Sequence, residues 1–544
     1  MIKKIATVAL LIILLSANFI FSQYQNVMIS NQYYPNEVTI MINPKNINQI
    51  VAGSNIGYYG SDTSLSGYYY SSNGGLNWSG GVLHSTLASP SGDPVVIVDT
   101  AGNFYFIQNA NYHGFVLPCF DRHLVMKTGN GGANWTSAST YGLDGKFQDK
   151  PWGCVDWSNS IWRNNIYITW TEFSKYYYSG GGPSDSSIIL FTKSIDGGLN
   201  WSQLVRISKR KGDAYDASNT MEGAVPCTGP NGEIYVSWSG PVIWNSQYAI
   251  FFNKSTDGGN SWLDSERVVT SQPGGWNFNI SGVFRCNGFP VTCCDLSNGP
   301  YSGNIYINFS DQRNGMTDTD IWLIKSTNGG TNWSQVKRVN NDPPGKQQFF
   351  NWMAVDQTTG YLYIVFYDER NLPAYYADVY IARSTDGGET FRNIKISSTP
   401  FFLITNSLLC DYINISAING HIRPIWTRVE NSTTSIYTAI IDTFYNIGIK
   451  KIGENIPSSY SLKQNYPNPF NPNTKIGFNI SKPGDAEIEV FDITGKLIST
   501  FVREYLNSGS YEINFDASDI STGIYFYRLK INSFIETKKM IILK

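Results

Sequence analysis

Carboxylates and guanidinium groups recur at one kind of place in this chain, just past a short apolar run. Asp311 and Arg313 stand in FSDQRNG, Asp368 and Arg370 in FYDERN, Glu172 in TWTEF and Arg428 in IWTRVE. The loops that follow add Asp318, Asp320 and Asp378, with the aromatics Tyr301, Phe349, Phe350, Trp352, Tyr375 and Tyr376. An arginine fork meets a carboxylate through two parallel hydrogen bonds. Arg313, Arg370 and Arg428 are therefore the candidate ligand-binding groups, suited to a carboxylate-bearing sugar. Glu172, Asp311 and Asp368 are the candidate catalytic groups, since glycoside hydrolysis needs two carboxyls roughly 5–10 Å apart in one cleft. Recurrence also points the other way. Groups that serve a repeat recur with it, so Arg313 and Arg370 read equally as braces pairing with their own Asp neighbours.

Other chemistries find less support. The four histidines have no metal-ligand spacing and the adjacent Cys293–Cys294 has no second cluster, so no zinc site is expected. The acidic loops carry hard oxygen ligands that suit calcium, without EF-hand spacing, and no cofactor is expected. Cys154, Cys227 and Cys293 sit at matching places in apolar strands (GCVD, PCTG, TCCD) and read as small buried hydrophobes. Cys286 with Cys293 or Cys294 is left open as a short disulfide loop. A net charge of −2 gives no basic footprint for nucleic acid.

The elements that position these residues come from a repeat. A turn returns six times: SSNGGLNW from Ser71, TGNGGANW from Thr128, SIDGGLNW from Ser194, STDGGNSW from Ser255, STNGGTNW from Ser326 and STDGGETF from Ser384. The hydroxyl and Asx side chains can bond local backbone N–H groups, the glycines permit positive φ, and the closing aromatic buries beside the hairpin. The turn-making set is Ser71, Asn73, Gly75 and Trp78; Thr128, Asn130, Gly132 and Trp135; Ser194, Asp196, Gly198 and Trp201. It continues as Ser255, Asp257, Gly259 and Trp262; Ser326, Asn328, Gly330 and Trp333; Ser384, Asp386, Gly388 and Phe391. Copies are 57 to 71 residues apart, room for four strands each.

This motif resembles the Asp box of sialidase or neuraminidase-like (BNR) repeats, over most of residues 33–440. The resemblance implies a β-propeller with each box between third and fourth strands, on the face away from any active site. Six boxes suggest six blades. The strand pattern gives seven units: first strands such as VTIMIN, WGCVDW and INISAI, second strands such as NIYITW, EIYVSW and RPIWTR, third strands such as IILFTK and SIYTAI. The last unit lacks a box and a fourth strand, and QNVMIS near the N-terminus fits that vacancy. The fold class is therefore all-β, a seven-bladed propeller with six blades as the alternative. Closing the ring removes the exposed sheet edge.

Sialidase catalysis does not carry across residue by residue. The family implies an Arg-Ile-Pro-like motif near the first blade, an arginine triad, a Tyr–Glu nucleophile pair and an aspartic acid/base. Residues 23–70 contain no arginine, and His421-Ile422-Arg423-Pro424 reads as strand in the last unit. Two function classes follow: a protein that binds extracellular glycan or protein through its loop face, or a glycoside hydrolase using loop carboxylates.

The ends address export. Lys3 and Lys4, an apolar run Ile5–Leu15 and small residues near Ser22 make residues 1–22 a signal peptide, and no later stretch is a transmembrane segment. The propeller is placed at 23–443, a linker at 444–458 and a small Ig-like β-sandwich at 459–544. That last segment resembles the C-terminal sorting domain of the type IX secretion system, on Asn465-Tyr466-Pro467-Asn468-Pro469-Phe470, Gly495-Lys496, Gly523-Ile524-Tyr525 and the basic end Lys538-Lys539 to Lys544. The resemblance implies the type IX machinery as partner, passage through the periplasm of a Bacteroidetes-like bacterium, and a secreted or outer-surface location.

Overall fold

The computed structural model describes residues 24–57, 65–111, 120–143, 145–176, 185–214, 219–403, 409–430, 433–442, 450–452, 456–517 and 520–543. Residues 1–22, expected to be a signal peptide, and most of 444–455 in the expected linker lie outside the described residues. Every regular element among the described residues is a strand. Among the described residues no helix is long and apolar enough to cross a membrane.

Among the described residues, six sheets of four successive strands follow one another along the chain, two of them extended by a two-residue strand, and a seventh has three successive strands and a fourth from elsewhere. Their first strands are Asn36–Asn43, Val95–Val98, Phe147–Val155, Glu222–Thr228, Val291–Cys294, Gln348–Asp356 and Asn414–Ile418. Each packs against the next, and Asn414–Ile418 packs against Asn36–Asn43. These strands therefore line a common axis. Single bonds stitch neighbours together: Thr39 Oγ1 accepts from the Val96 N–H at 3.0 Å, and Ser416 Oγ from the Ile42 N–H at 3.1 Å. Second strands are buried along nearly their whole length, because each is sandwiched between neighbouring sheets. That is why they read as continuous apolar runs, with Trp170, Trp238 and Trp426 fully inside.

The seventh sheet takes its outer strand from the beginning of the chain. Gln25–Ser30 pairs antiparallel with Thr433–Ile440, Gln25 opposite Ile440. Asn26 fixes the seam, its Nδ2 donating to the Ile396 carbonyl at 2.8 Å and its Oδ1 accepting from the Ser398 N–H at 2.7 Å.

The six turns share one set of bonds. In the third sheet Ser194 Oγ donates to Asp196 Oδ1 (2.8 Å) and accepts from the Gly198 N–H (2.9 Å), while Asp196 Oδ1 accepts from the Asn200 N–H (3.0 Å). Gly197 and Gly198 have φ of 71° and 84°, which a side chain would strain. The turns also join sheets. Lys193, Lys254 and Lys325, each just before its own turn, donate to Gly258, Gly329 and Gly387 in the next at 2.7, 2.6 and 2.8 Å. Arg423 does the same for the first sheet, Nε to the Gly74 carbonyl at 2.8 Å. It is buried inside strand His421–Glu430, so the HIRP segment is structural.

The thiols of Cys154, Cys227, Cys286, Cys293, Cys294 and Cys410 are free, so the short loop left open from Cys286 is not a disulfide. Two further four-stranded sheets follow the ring. Ser461–Leu462, Asn473–Ile480, Gly509–Asp516 and Lys450–Lys451 form one, and Gly484–Phe491, Leu497–Leu506, Gly523–Ile531 and Phe534–Ile542 the other. They bury Ile476, Phe478, Ile488, Val490, Tyr527 and Leu529 in one core.

Candidate functional site

First strands begin on the face opposite the Ser-Asx turns, and second strands end there. The arginines singled out in the sequence lie on this face and are engaged within their own sheets. Arg313 donates to Asp311 from Nε (2.9 Å) and Nη2 (2.6 Å) and lies 4.6 Å over the Trp322 ring. Arg370 donates to Asp368 from Nε (2.7 Å), reaches Asn341 Oδ1 (2.6 Å) and stacks 4.4 Å over Tyr380. Arg428 pairs with Glu430 at 2.8 Å. Asp311 and Asp368 are fully buried, and burial pushes both up against the pull of their arginines, Asp368 to about 6. Asp318 accepts from the Gly345 N–H, Asp320 from Arg338 and Asn340, and Asp378 from Ser397 and Lys395. Glu172 is buried and raised by that burial, opposed by Lys146, with one oxygen unpartnered. Tyr301 sits beside Gly387 at the turn face, and Phe349, Phe350 and Trp352 are core.

A different set of charges meets on the axis. Lys150, at the head of the third sheet, donates to Asp411 Oδ2, ahead of the seventh, at 2.6 Å. Arg285 reaches the same carboxylate from an inserted hairpin (Asn277–Ile280 and Val283–Asn287), with Nε to Oδ1 at 2.9 Å and Nη2 on Oδ2. Sheets three and seven are not neighbours, so only the axis brings these groups together. Asn287 Nδ2 holds the Asp411 carbonyl at 2.6 Å. Burial works against the Lys150 charge, but Asp411 and Asp149 raise its pKa well above the ordinary value.

Beside this network two carboxyls share one amide. Asn55 Nδ2 donates to Glu37 Oε2 at 2.6 Å and to Asp93 Oδ1 at 3.4 Å, and Asn55 Oδ1 accepts from the Asp93 N–H at 2.6 Å. Asn109 Nδ2 bridges Asp93 (2.9 Å) to Asp149 (3.2 Å). Glu37 is 3% exposed and Asp93 9%. Burial, reinforced by Asp93 and Asp411, raises Glu37 well above the carboxylate range. Burial acts on Asp93 too, but the Lys150 charge and bonds from Glu37, Asp149 and Asn55 outweigh it and hold that carboxyl well below. The two carboxyls are thus driven in opposite directions, and a proton shared between them favours Glu37.

The backbone here is strained. Glu37, Asp93, Lys150 and Phe350 have φ of 48°, 50°, 48° and 51°, each at or just ahead of the start of a first strand. Register shifts between Asn36 and Thr39, Asp149 and Trp152, Glu222 and Val225, and Phe349 and Trp352 mark repeated bulges. Such bulges re-aim side chains, and left-handed non-glycine residues cost about 1–3 kcal/mol each, a cost concentrated at functional sites. Beneath the charges Trp152 packs on Trp352 (ring centroids 4.1 Å) and Tyr412 (5.5 Å). Below these rings lies an axial cavity of about 200 Å³, lined by Val225, Met353, Cys154, Cys227 and Cys293 among others.

Sequence reasoning passed over Glu37, Asp93, Lys150 and Asp411. The signal was there: an acid stands one to three residues ahead of the apolar run in NEVTIM, GDPVVI, QDKPWG, MEGAVP and CDYINI. Among the described residues no group of three or more His, Cys, Asp or Glu is placed to hold a metal ion.

Residues 464–543 match the family described as the secretion system C-terminal sorting domain. Xyloglucanase Xgh74A of Acetivibrio thermocellus is 26% identical over 237 residues, 43% of this chain and 22% of that protein, so the chain spans about a fifth of this relative. Among solved structures, an ulvan-cleaving polysaccharide lyase aligns at 12% identity and TM-score 0.44, over 78% of this chain and 95% of its own. The phage phi92 endosialidase gives 11% and 0.44 over 81% and 73%, and Trypanosoma rangeli sialidase 10% and 0.39 over 84% of each. The protein is thus an all-β propeller ending in a sorting domain of the type IX secretion route, by which it is carried to the cell surface or released.

Proposed function

We propose that this exported propeller binds an extracellular glycan over the axis of its loop face and cleaves it there. The split carboxyl pair carries the reading. Glu37 and Asp93 are hydrogen-bonded to each other, too close to serve as an acid and a base on opposite faces of a sugar, so they act as one unit: it gives a proton to the leaving glycosidic oxygen and takes one back from the water that adds to the anomeric carbon. Asn55 holds the two side by side, and the strained bulges aim them at the axis. A glycan substrate agrees with the Ser-Asx turns shared with neuraminidase-like repeats and with the xyloglucanase relative. Asp311, Asp368 and the three loop arginines serve in this reading as braces.

Binding without cleavage is the second reading, favoured by the low exposure of Glu37 and Asp93. Release of reducing ends from xyloglucan, barley β-glucan and hyaluronan, by wild type, Glu37→Gln and Asp93→Asn, separates the two. Turnover lost in both variants, with retention of the polysaccharide intact, supports cleavage. Retention without turnover in the wild type supports capture. Turnover indifferent to both substitutions rejects the axial site.

A further inference from the structure

The loop from Glu369 to Tyr376 carries features that neither bracing nor the core requires. Tyr375, Tyr376 and Phe402 are 42%, 39% and 38% exposed, yet they form one cluster, Phe402 lying 6.4 Å from Tyr375 and 5.2 Å from Tyr376 between ring centroids. Their exposure is held rigidly. Phe401–Phe402 adds a strand to the sixth sheet, with Phe402 opposite Tyr376, and the Leu403 N–H donates to the Tyr375 carbonyl at 2.8 Å. Tyr375 sits at φ 70°, a conformation that disfavours a side chain of its size. Phe401, beside Phe402, is buried against Tyr367 at 5.6 Å and anchors the cluster to the core.

Glu369 opens the same loop. It is buried, and its Oε1 has no hydrogen-bond partner. Burial, with the Asp368 charge adding and Lys346 opposing, pushes it up to about 7. The carboxyl follows Asp368, the last residue of strand Tyr361–Asp368, and opens the loop that carries Tyr375 and Tyr376. A buried carboxyl left unpaired costs free energy that a ligand hydroxyl would recover.

We propose that Tyr375, Tyr376 and Phe402 form a shelf for sugar rings, with Glu369 bonding a hydroxyl of the unit nearer the axis, so that the ligand is a glycan chain of several units. The inference rests on the axial site proposed above. Pyranose rings present an apolar face of C–H groups that packs on aromatic rings, while their hydroxyls take polar partners at the edge. Rings held rigid before binding lose little entropy on contact. A shelf off the axis gives a polymer more contact than a single terminal sugar has.

The test is electrophoretic retardation of the whole protein in gels containing xyloglucan, barley β-glucan or hyaluronan. Tyr375→Gly removes a ring at a position where glycine fits the backbone better. Wild type should be retarded by at least one polymer, and Tyr375→Gly and Tyr376→Ala should each weaken retardation about tenfold with an unchanged melting temperature. Glu369→Gln should weaken it less, since an amide still bonds a hydroxyl. Glu37→Gln should leave retardation intact while abolishing turnover, which separates failure of the shelf from failure of the axial reading. Retardation unchanged in both tyrosine variants, or absent for wild type in all three gels, overturns the shelf.

Discussion

Lys150 and Asp411 face each other across the ring, Nζ to Oδ2 at 2.6 Å, with side chains 9% and 1% exposed. The contact joins the third sheet to the segment ahead of the seventh, above the packed rings of Trp152, Trp352 and Tyr412. Lys150→Met leaves Asp411 with Arg285 as its remaining cation and should cost about 3 kcal/mol. Asp411→Asn removes the carboxylate charge that both cations share and should cost at least as much. Urea unfolding monitored by tryptophan fluorescence reads both, and an unshifted midpoint in Lys150→Met would deny the pair a structural role.

His123 gives the acid limb of stability. It is fully buried between Tyr141 and Trp170, with both ring nitrogens unpartnered. Burial, slightly opposed by Asp93, depresses it from 6.5 to about 3. Between those values the unfolded chain binds a proton that the folded one does not, so stability falls as pH falls from 6.5 toward 3. His123→Phe should flatten that slope. Melting temperatures across the window check it, and parallel curves for the two proteins would contradict it.

The Ser-Asx turns predict small losses, alike from sheet to sheet. Ser194→Ala and Ser255→Ala each remove a hydroxyl that donates at 2.8 Å and accepts at 2.9 Å, at a cost of about 1 kcal/mol each. The double variant should show their sum, since the two hydroxyls share no hydrogen-bond partner. Denaturant titration of the three variants is the measurement.

Asn26 predicts the strength of the seam. Asn26→Ala removes its bonds to the Ile396 carbonyl and the Ser398 N–H and should cost about 2 kcal/mol. Limited proteolysis should then cut near the N-terminal strand before any other site. Cleavage elsewhere first would show that the seam is not the weakest edge.

The parts legible in the sequence are those whose physics is local. The Ser194–Asp196–Gly198 bonds span four residues, so residue types at fixed spacing announce the turn wherever it stands. Strand Ile166–Phe173 was readable for a similar reason, because a strand covered on both faces is apolar throughout. Asp311 with Arg313 and Asp368 with Arg370 stood out because they are two residues apart, and adjacency made braces look like a site. Glu37, Asp93, Lys150 and Asp411 are separated by up to 374 residues and meet only once the ring is closed. Bulges at the strand heads then turn them toward one another, and no short window of sequence reports a bulge. Tyr375 and Tyr376 stood out as loop aromatics, but Phe402 was passed over, because it joins them through the two-residue strand Phe401–Phe402, too short to read.

The pairing of Gln25–Ser30 with Thr433–Ile440 sets an order of events. The first-translated strand of the mature ring waits for the last, so the seventh sheet stays incomplete until more than four hundred residues have been synthesised. A contact so distant along the chain pays its loop-closure entropy late and slows folding. An intermediate short of that last pairing therefore keeps an open sheet edge until the ring is complete.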